Sequence, residues 1–155
     1  DAVQVWKLRP KMAKGVVELT EAAYQHSQLP VREREVARMR IAQINGCLAC
    51  LNFRAPSVME QGVTEELYAH VADYAVRDDY SSREKLAIEF AERFALDHHS
   101  LDDAFFARLR AEFADDEILD LTICVGAFLG LGRMLRVLGI DEACDIDPGR
   151  VVPAG

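Results

Sequence analysis

Glycine and proline are scarce in this chain, nine and five of 155 residues. No segment sustains the period-two alternation of a half-buried strand, which leaves β architectures without support. Internal repeats and low-complexity tracts are also missing. Positive charge is short: the net charge is -8, which disfavours nucleic acid and anionic membrane as partners. The most apolar run, Leu119 to Leu131, is too short to span a membrane. It is fenced by Asp115, Asp116, Glu117, Asp120 and Arg133. Asp1-Ala2-Val3-Gln4-Val5-Trp6 lacks the basic-then-apolar pattern of a signal peptide. The expectation is a soluble, cytoplasmic protein. Four cysteines in a chain that is half hydrophobic do not make a secreted disulfide scaffold.

What is present favours helix, with Leu, Ala, Glu and Arg common. The expected fold class is all-α, in one domain. Residues 1–19 read as an irregular arm, with Pro10 breaking any early helix. Residues 20–140 read as the helical domain and 141–155 as a tail. Seven helices are expected. The first runs from Thr20 to about Ser27, the second from Val31 to Asn45, ended by Gly46. In the second, Arg32, Glu33, Arg34, Arg38 and Arg40 take the polar positions. A third runs from Cys47 or Leu48 to about Gln61, kinked or shortened at Pro56. A fourth, capped by Thr64, reaches Val76. Ser81 and Glu84 form a capping-box pattern for a fifth, which breaks at His98-His99-Ser100. A sixth opens at Asp102 or Asp103, with Phe106, Leu109 and Phe113 on one face. The seventh runs from Asp115 to about Val137, ended by Gly139, and is apolar nearly all round. Such a helix sits at a bundle centre or in a subunit interface. Gly126 and Gly130 would permit close helix approach there.

Cys47-Leu48-Ala49-Cys50 carries the chemistry. Two thiols three residues apart at a helix start suit a dithiol–disulfide couple, metal ligation, or a coincidental core pair. Neither a second cysteine pair nor finger-like spacing to His26, His70, His98 or His99 supports a metal, so none is expected. A helix N-terminus stabilises a thiolate, which by itself favours Cys47. Cys124 reads as a small buried hydrophobe and Cys144 as idle. Glu35, twelve residues before Cys47, is a carboxylate that could fold back on the dithiol and move protons. Gly130-Leu131-Gly132 is not a dinucleotide loop, and no cofactor is expected.

The block from Arg34 to Cys50 resembles the core of the carboxymuconolactone decarboxylase / alkylhydroperoxidase D superfamily. Gly62 to Glu66, Ser82 to Ala91 and Asp115 to Thr122 are similar to its later segments. The resemblance implies an AhpD-like helical bundle that is oligomeric: dimer, trimer or hexamer. It implies a peroxidatic Cys50, a resolving Cys47 and a proton-relaying Glu35. The substrate would be an organic hydroperoxide or a disulfide, reduced in turn by a protein or small thiol. Arg54 stands where redox-active members of the superfamily have histidine. It cannot act as a base, though its charge could stabilise a thiolate. Two other readings follow: a decarboxylase acting on a lactone acid, and a non-catalytic redox-sensing oligomer.

Overall fold

The computed structural model describes residues 2–141. Among the described residues the regular structure is helical. The segment before residue 20 is helical too, as α1 (Ala2–Trp6) and α2 (Pro10–Gln25). Pro10 starts α2 instead of breaking it. At the first position of a helix the missing N–H has no partner to lose, and the fixed φ already suits the turn. Only Ala23 of α2 is fully buried.

The centre is α3 (Val31–Asn45), packed most extensively against α7 (Ser82–Leu96) and α9 (Asp115–Val137). Gly46 ends α3 in the left-handed conformation (φ 60°), as its sequence position implies. The charges of α3 do not all face water. Glu33, Arg34, Glu35 and Arg38 are buried beside Val36, Ala37, Met39 and Ile41. A helix enclosed by neighbours must bury whatever it carries, and buried charges persist only when paired. Glu33 is held by Arg83 of α7 at 2.8 Å, and Arg83 also reaches Glu117 of α9 at 2.7 Å.

The third expected helix is two short ones, α4 (Leu48–Asn52) and α5 (Pro56–Met59). Phe53 and Ala55 are extended between them. Pro56 disfavours helical geometry at the residue before it, so the expected helix is shortened by an extended Ala55 and not kinked. The fourth is α6 (Glu65–Ala69), capped by Thr64, followed after His70 by a 3-10 turn over Val71–Val76. Ser81 and Glu84 form the expected capping box on α7: the Glu84 N–H donates to Ser81 Oγ at 3.1 Å, and the Ser81 N–H donates to Glu84 at 2.9 Å. α8 (Asp103–Glu112) is capped by Asp102. Its region buries Phe105, Leu109 and Phe113; Phe106, expected on that face, is half-buried.

α9 is long and apolar enough to cross a membrane by length and composition, unlike its central run taken alone. In the bundle it presses Ile118, Leu121, Cys124, Val125, Phe128, Gly132 and Leu135 into the core. Leu119, Ile123, Met134 and Val137 stay exposed on its other side. Cys124 is buried, as expected, and burial with a contact to Asp120 pushes its thiol up to about 12. Gly139 (φ 64°) ends the chain reversal after α9 and returns Ile140 and Asp141 towards α4. Cys144 and the rest of the expected tail lie outside the described residues.

Candidate functional site: a dithiol pinned between buried charges

The tight turn at Gly46 delivers Cys47 to the N-cap of α4. Cys47 and Cys50 are joined as a disulfide, with Cα atoms 5.3 Å apart. The backbone N–H of Cys50 also points at Cys47 Sγ, at 3.3 Å. The two sulfurs are not equivalent. Cys47 is fully buried in a cluster with Ala49, Leu135 of α9 and Ile140, against which Val5 and Trp6 of α1 and Leu131 of α9 pack. Cys50 is half-buried.

α9 passes directly over Cys50. A Cβ on Gly132 would stand 3.4 Å from Cys50 Sγ and 2.7 Å from Asn45 Nδ2. Gly132, not the Gly126 and Gly130 pair, is where the backbone closes on another element. A Cβ on Gly130 meets nothing within 4 Å. Asn45 is not free to yield: it donates to the Leu129 carbonyl and accepts from Arg133. Gly132→Ala is therefore expected to lose about 1–3 kcal/mol in denaturant unfolding. A midpoint equal to that of the parent chain would show that the contact relaxes freely.

Glu35 sits in the middle of α3 at 2% exposure. Its Oε2 accepts from Arg38 Nε at 2.8 Å and from the Tyr68 hydroxyl at 2.7 Å. Its Oε1 is buried without a hydrogen bond, 3.8 Å from Arg34 Nε. Glu35 does fold back towards the dithiol, but through an intermediary. Arg38 donates to the Cys50 carbonyl at 2.7 Å and more weakly to that of Phe53 at 3.4 Å. No hydrogen bond among the described residues joins Glu35 to a cysteine sulfur. Arg38 thus closes the C-terminal end of α4 and carries Glu35 on its other edge.

Arg54 is outside α4, because the helix stops at Asn52. It is therefore not carried on the same helical face as Cys50. Arg54 forms a two-pronged ion pair with Glu65, at 2.6 and 2.9 Å, and donates to the Leu51 and Phe53 carbonyls. Its guanidinium lies 4.3 Å from the centre of the Tyr68 ring. Its link to the site therefore runs through Tyr68 and Glu35. Burial, then the Glu35 charge and its hydrogen bond, push the Tyr68 hydroxyl up to about 12. It stays a donor to Glu35 at neutral pH.

Arg38, Tyr68 and Asp141 are the residues that sequence reasoning missed. The three-residue spacing of Glu35 and Arg38 on one helix was the available signal for Arg38. Tyr68 carried none. Among the described hydrogen bonds, none joins His26, His70, His98 or His99 to the cysteine pair. Among the described residues, no group of three His, Cys, Asp or Glu side chains is placed to hold a metal ion.

Known proteins place the chain. It is 23% identical over 138 residues to the uncharacterized protein YdfG of Bacillus subtilis, covering 88% of this chain and 93% of that one. It is 31% identical over 93 residues to the uncharacterized protein YnjA of Escherichia coli, covering 60% of this chain and about half (51%) of that one. Among solved structures, the fold matches a protein of unknown function, ATU0492 of Agrobacterium tumefaciens, whose description offers AhpD, an antioxidant defence protein, as a candidate identity. The TM-score is 0.75 at 23% identity, over 92% of this chain and 97% of that one. An uncharacterized peroxidase-related protein from Silicibacter matches with a TM-score of 0.77 at 20% identity, over 90% and 74% of the two chains. Both likenesses bear on the fold alone. The sequence model of the carboxymuconolactone decarboxylase family matches residues 10–93, more than half of the chain and the whole of α2, α3, α4 and the Glu35–Arg38–Tyr68 cluster, and the chain belongs to that family.

Proposed function

We propose that the protein is a thiol-dependent peroxidase acting on organic hydroperoxides, with Cys50 as the attacking sulfur and Cys47 as the resolving one. The observation that carries this reading is the asymmetry of the pair: a half-buried Cys50 bonded to a fully buried Cys47. The Cys50 thiolate attacks one peroxide oxygen. An S–O bond forms, the O–O bond breaks, and the departing alkoxide takes a proton to leave as alcohol. Cys47 sulfur then attacks the Cys50 sulfenic acid. The S–S bond forms, and hydroxide leaves with the Cys47 proton as water. An external dithiol supplies two electrons and two protons to restore the pair.

Arg38 favours negative charge at Cys50 by its proximity to the Cys50 carbonyl. Glu35 and Tyr68 form a hydrogen-bonded pair along which a proton can pass. Arg54 acts on this pair as a positioning residue, by stacking on Tyr68. The antioxidant and peroxidase descriptions of the two structural neighbours agree with this reading. A homo-oligomer and a reducing compartment such as the cytoplasm belong to the same proposal, the first supported by the exposed stripe of Leu119, Ile123, Met134 and Val137 on α9.

The reduced protein is expected to consume one equivalent of an alkyl hydroperoxide per chain in stopped flow, ending as the Cys47–Cys50 disulfide by peptide mass mapping. A reduced protein that leaves the hydroperoxide untouched while exchanging readily with a disulfide would make it an oxidoreductase of the disulfide class. Inertness to both would leave the redox-sensing oligomer. Arg54, committed to Glu65 and unable to take a proton, is the observation that keeps those two readings in play.

A further inference from the structure

The buried acid at the other end of α4 has no place in the scheme above. Asp141 is 1% exposed, and its Oδ2 accepts from the backbone N–H of Leu48 at 3.1 Å, the residue after Cys47. Its Oδ1 is buried and has no hydrogen-bond partner among the described residues. Its cationic neighbour is Arg136 at 3.7 Å, itself 51% exposed. Ile140, the residue before Asp141, packs in the same cluster as Cys47. At the opposite end of the helix stands the buried Arg38 cation, on the Cys50 carbonyl. A five-residue helix is thus held between two buried charges, the anion on the N–H of Leu48, next in the chain to Cys47, and the cation on the Cys50 carbonyl.

This arrangement decides between two opposed tendencies. The N-cap position and the Cys50 N–H would make Cys47 the thiolate. A full negative charge in a buried setting opposes ionisation of a neighbouring thiol, and a full positive charge promotes it. We propose that Asp141 is a positioning residue for the dithiol, whose carboxylate keeps the proton on Cys47 in the reduced protein so that Cys50 reacts first. The Cys47 proton is then still present to leave with hydroxide as water when the disulfide closes. The unpartnered Oδ1 is an acceptor for which a thiol S–H would be a donor.

The proposal rests on the dithiol reading but not on any particular oxidant, so its test is an equilibrium. The purified full chain is equilibrated in glutathione redox buffers from neutral to alkaline pH, and the Cys47–Cys50 disulfide fraction is read by mass spectrometry after acid trapping. Asp141→Asn keeps an acceptor for the Leu48 N–H and removes the charge. It is expected to move the equilibrium about tenfold towards the dithiol at alkaline pH, ~30 mV for a two-electron couple. Arg136→Gln leaves the Asp141 charge less compensated and is expected to give a smaller shift of opposite sign, because that pair is partly screened by solvent. Loss of packing alone would not give opposite signs. An unchanged equilibrium in Asp141→Asn, or shifts of the same sign in both variants, overturns the proposal. If Asp141→Asn does not fold, the surface variant Arg136→Gln decides by its sign, and no shift overturns it. Opposite shifts without hydroperoxide consumption would sink the peroxidase reading and leave this one standing; consumption without the shifts would do the reverse.

Discussion

Replacing Cys50 by serine is expected to bring hydroperoxide consumption down to the uncatalysed background, while Cys47→Ser consumes one equivalent and stops. The two variants separate if, as proposed, the half-buried Cys50 sulfur makes the S–O bond and the fully buried Cys47 only closes the disulfide. In Cys47→Ser the oxidised Cys50 has no partner, so a sulfenic acid should accumulate and be captured by dimedone. Serine at Cys50 leaves Cys47 without exposed surface, inside the apolar cluster that holds Leu135 and Ile140, so a peroxide is not expected to reach it. Equal rates for Cys50→Ser and the parent chain would end the assignment. Dimedone labelling at Cys47 in the Cys50→Ser variant would reverse the roles.

The second large effect is on stability. Arg38→Ala is expected to cost about 3–5 kcal/mol, read as a lower denaturant midpoint, because it strands a buried carboxylate. Arg38 is 3% exposed and Glu35 is 2% exposed, so water cannot replace the lost donor. The same change frees the Cys50 carbonyl and so loosens the end of α4. The double variant Arg38→Ala with Glu35→Gln should recover part of that loss, since a neutral amide is cheaper to bury than a charge. If the double variant is no more stable than Arg38→Ala alone, the unpaired charge is not the cause.

The residues that local patterns could place were those whose role is local. The capping box at Ser81 and Glu84, the left-handed stop at Gly46 and the extent of α9 are fixed by neighbours within a turn or two. The CxxC pair was legible as a spacing along the chain, whereas Glu35 stood out through the family resemblance, and in the fold it meets the pair only by way of Arg38. The interior charges of α3 were not. Periodicity assigns charged side chains to water, and only enclosure by α7 and α9 shows that Glu33, Arg34 and Arg38 have nowhere polar to go except each other's partners. Pro10 opens α2 instead of breaking an early helix, and Pro56 opens α5 after an extended Ala55; a local pattern does not say whether a proline stands first in a helix or inside one. Tyr68 lies 33 residues from Glu35, and Asp141 lies 93 residues from Leu48. No local rule reaches that far.

That last separation has a consequence for the order in which the molecule is made. Both cysteines of the pair are made before α9, while the carboxylate that accepts from the Leu48 N–H is encoded after it. Chains fold from the N-terminal side during synthesis, and distant contacts are bought last in entropy. A nascent chain therefore carries the cysteine pair without its anionic neighbour and without the Gly132 ceiling over Cys50. The dithiol acquires this part of its electrostatic surroundings only when the turn past Gly139 has closed.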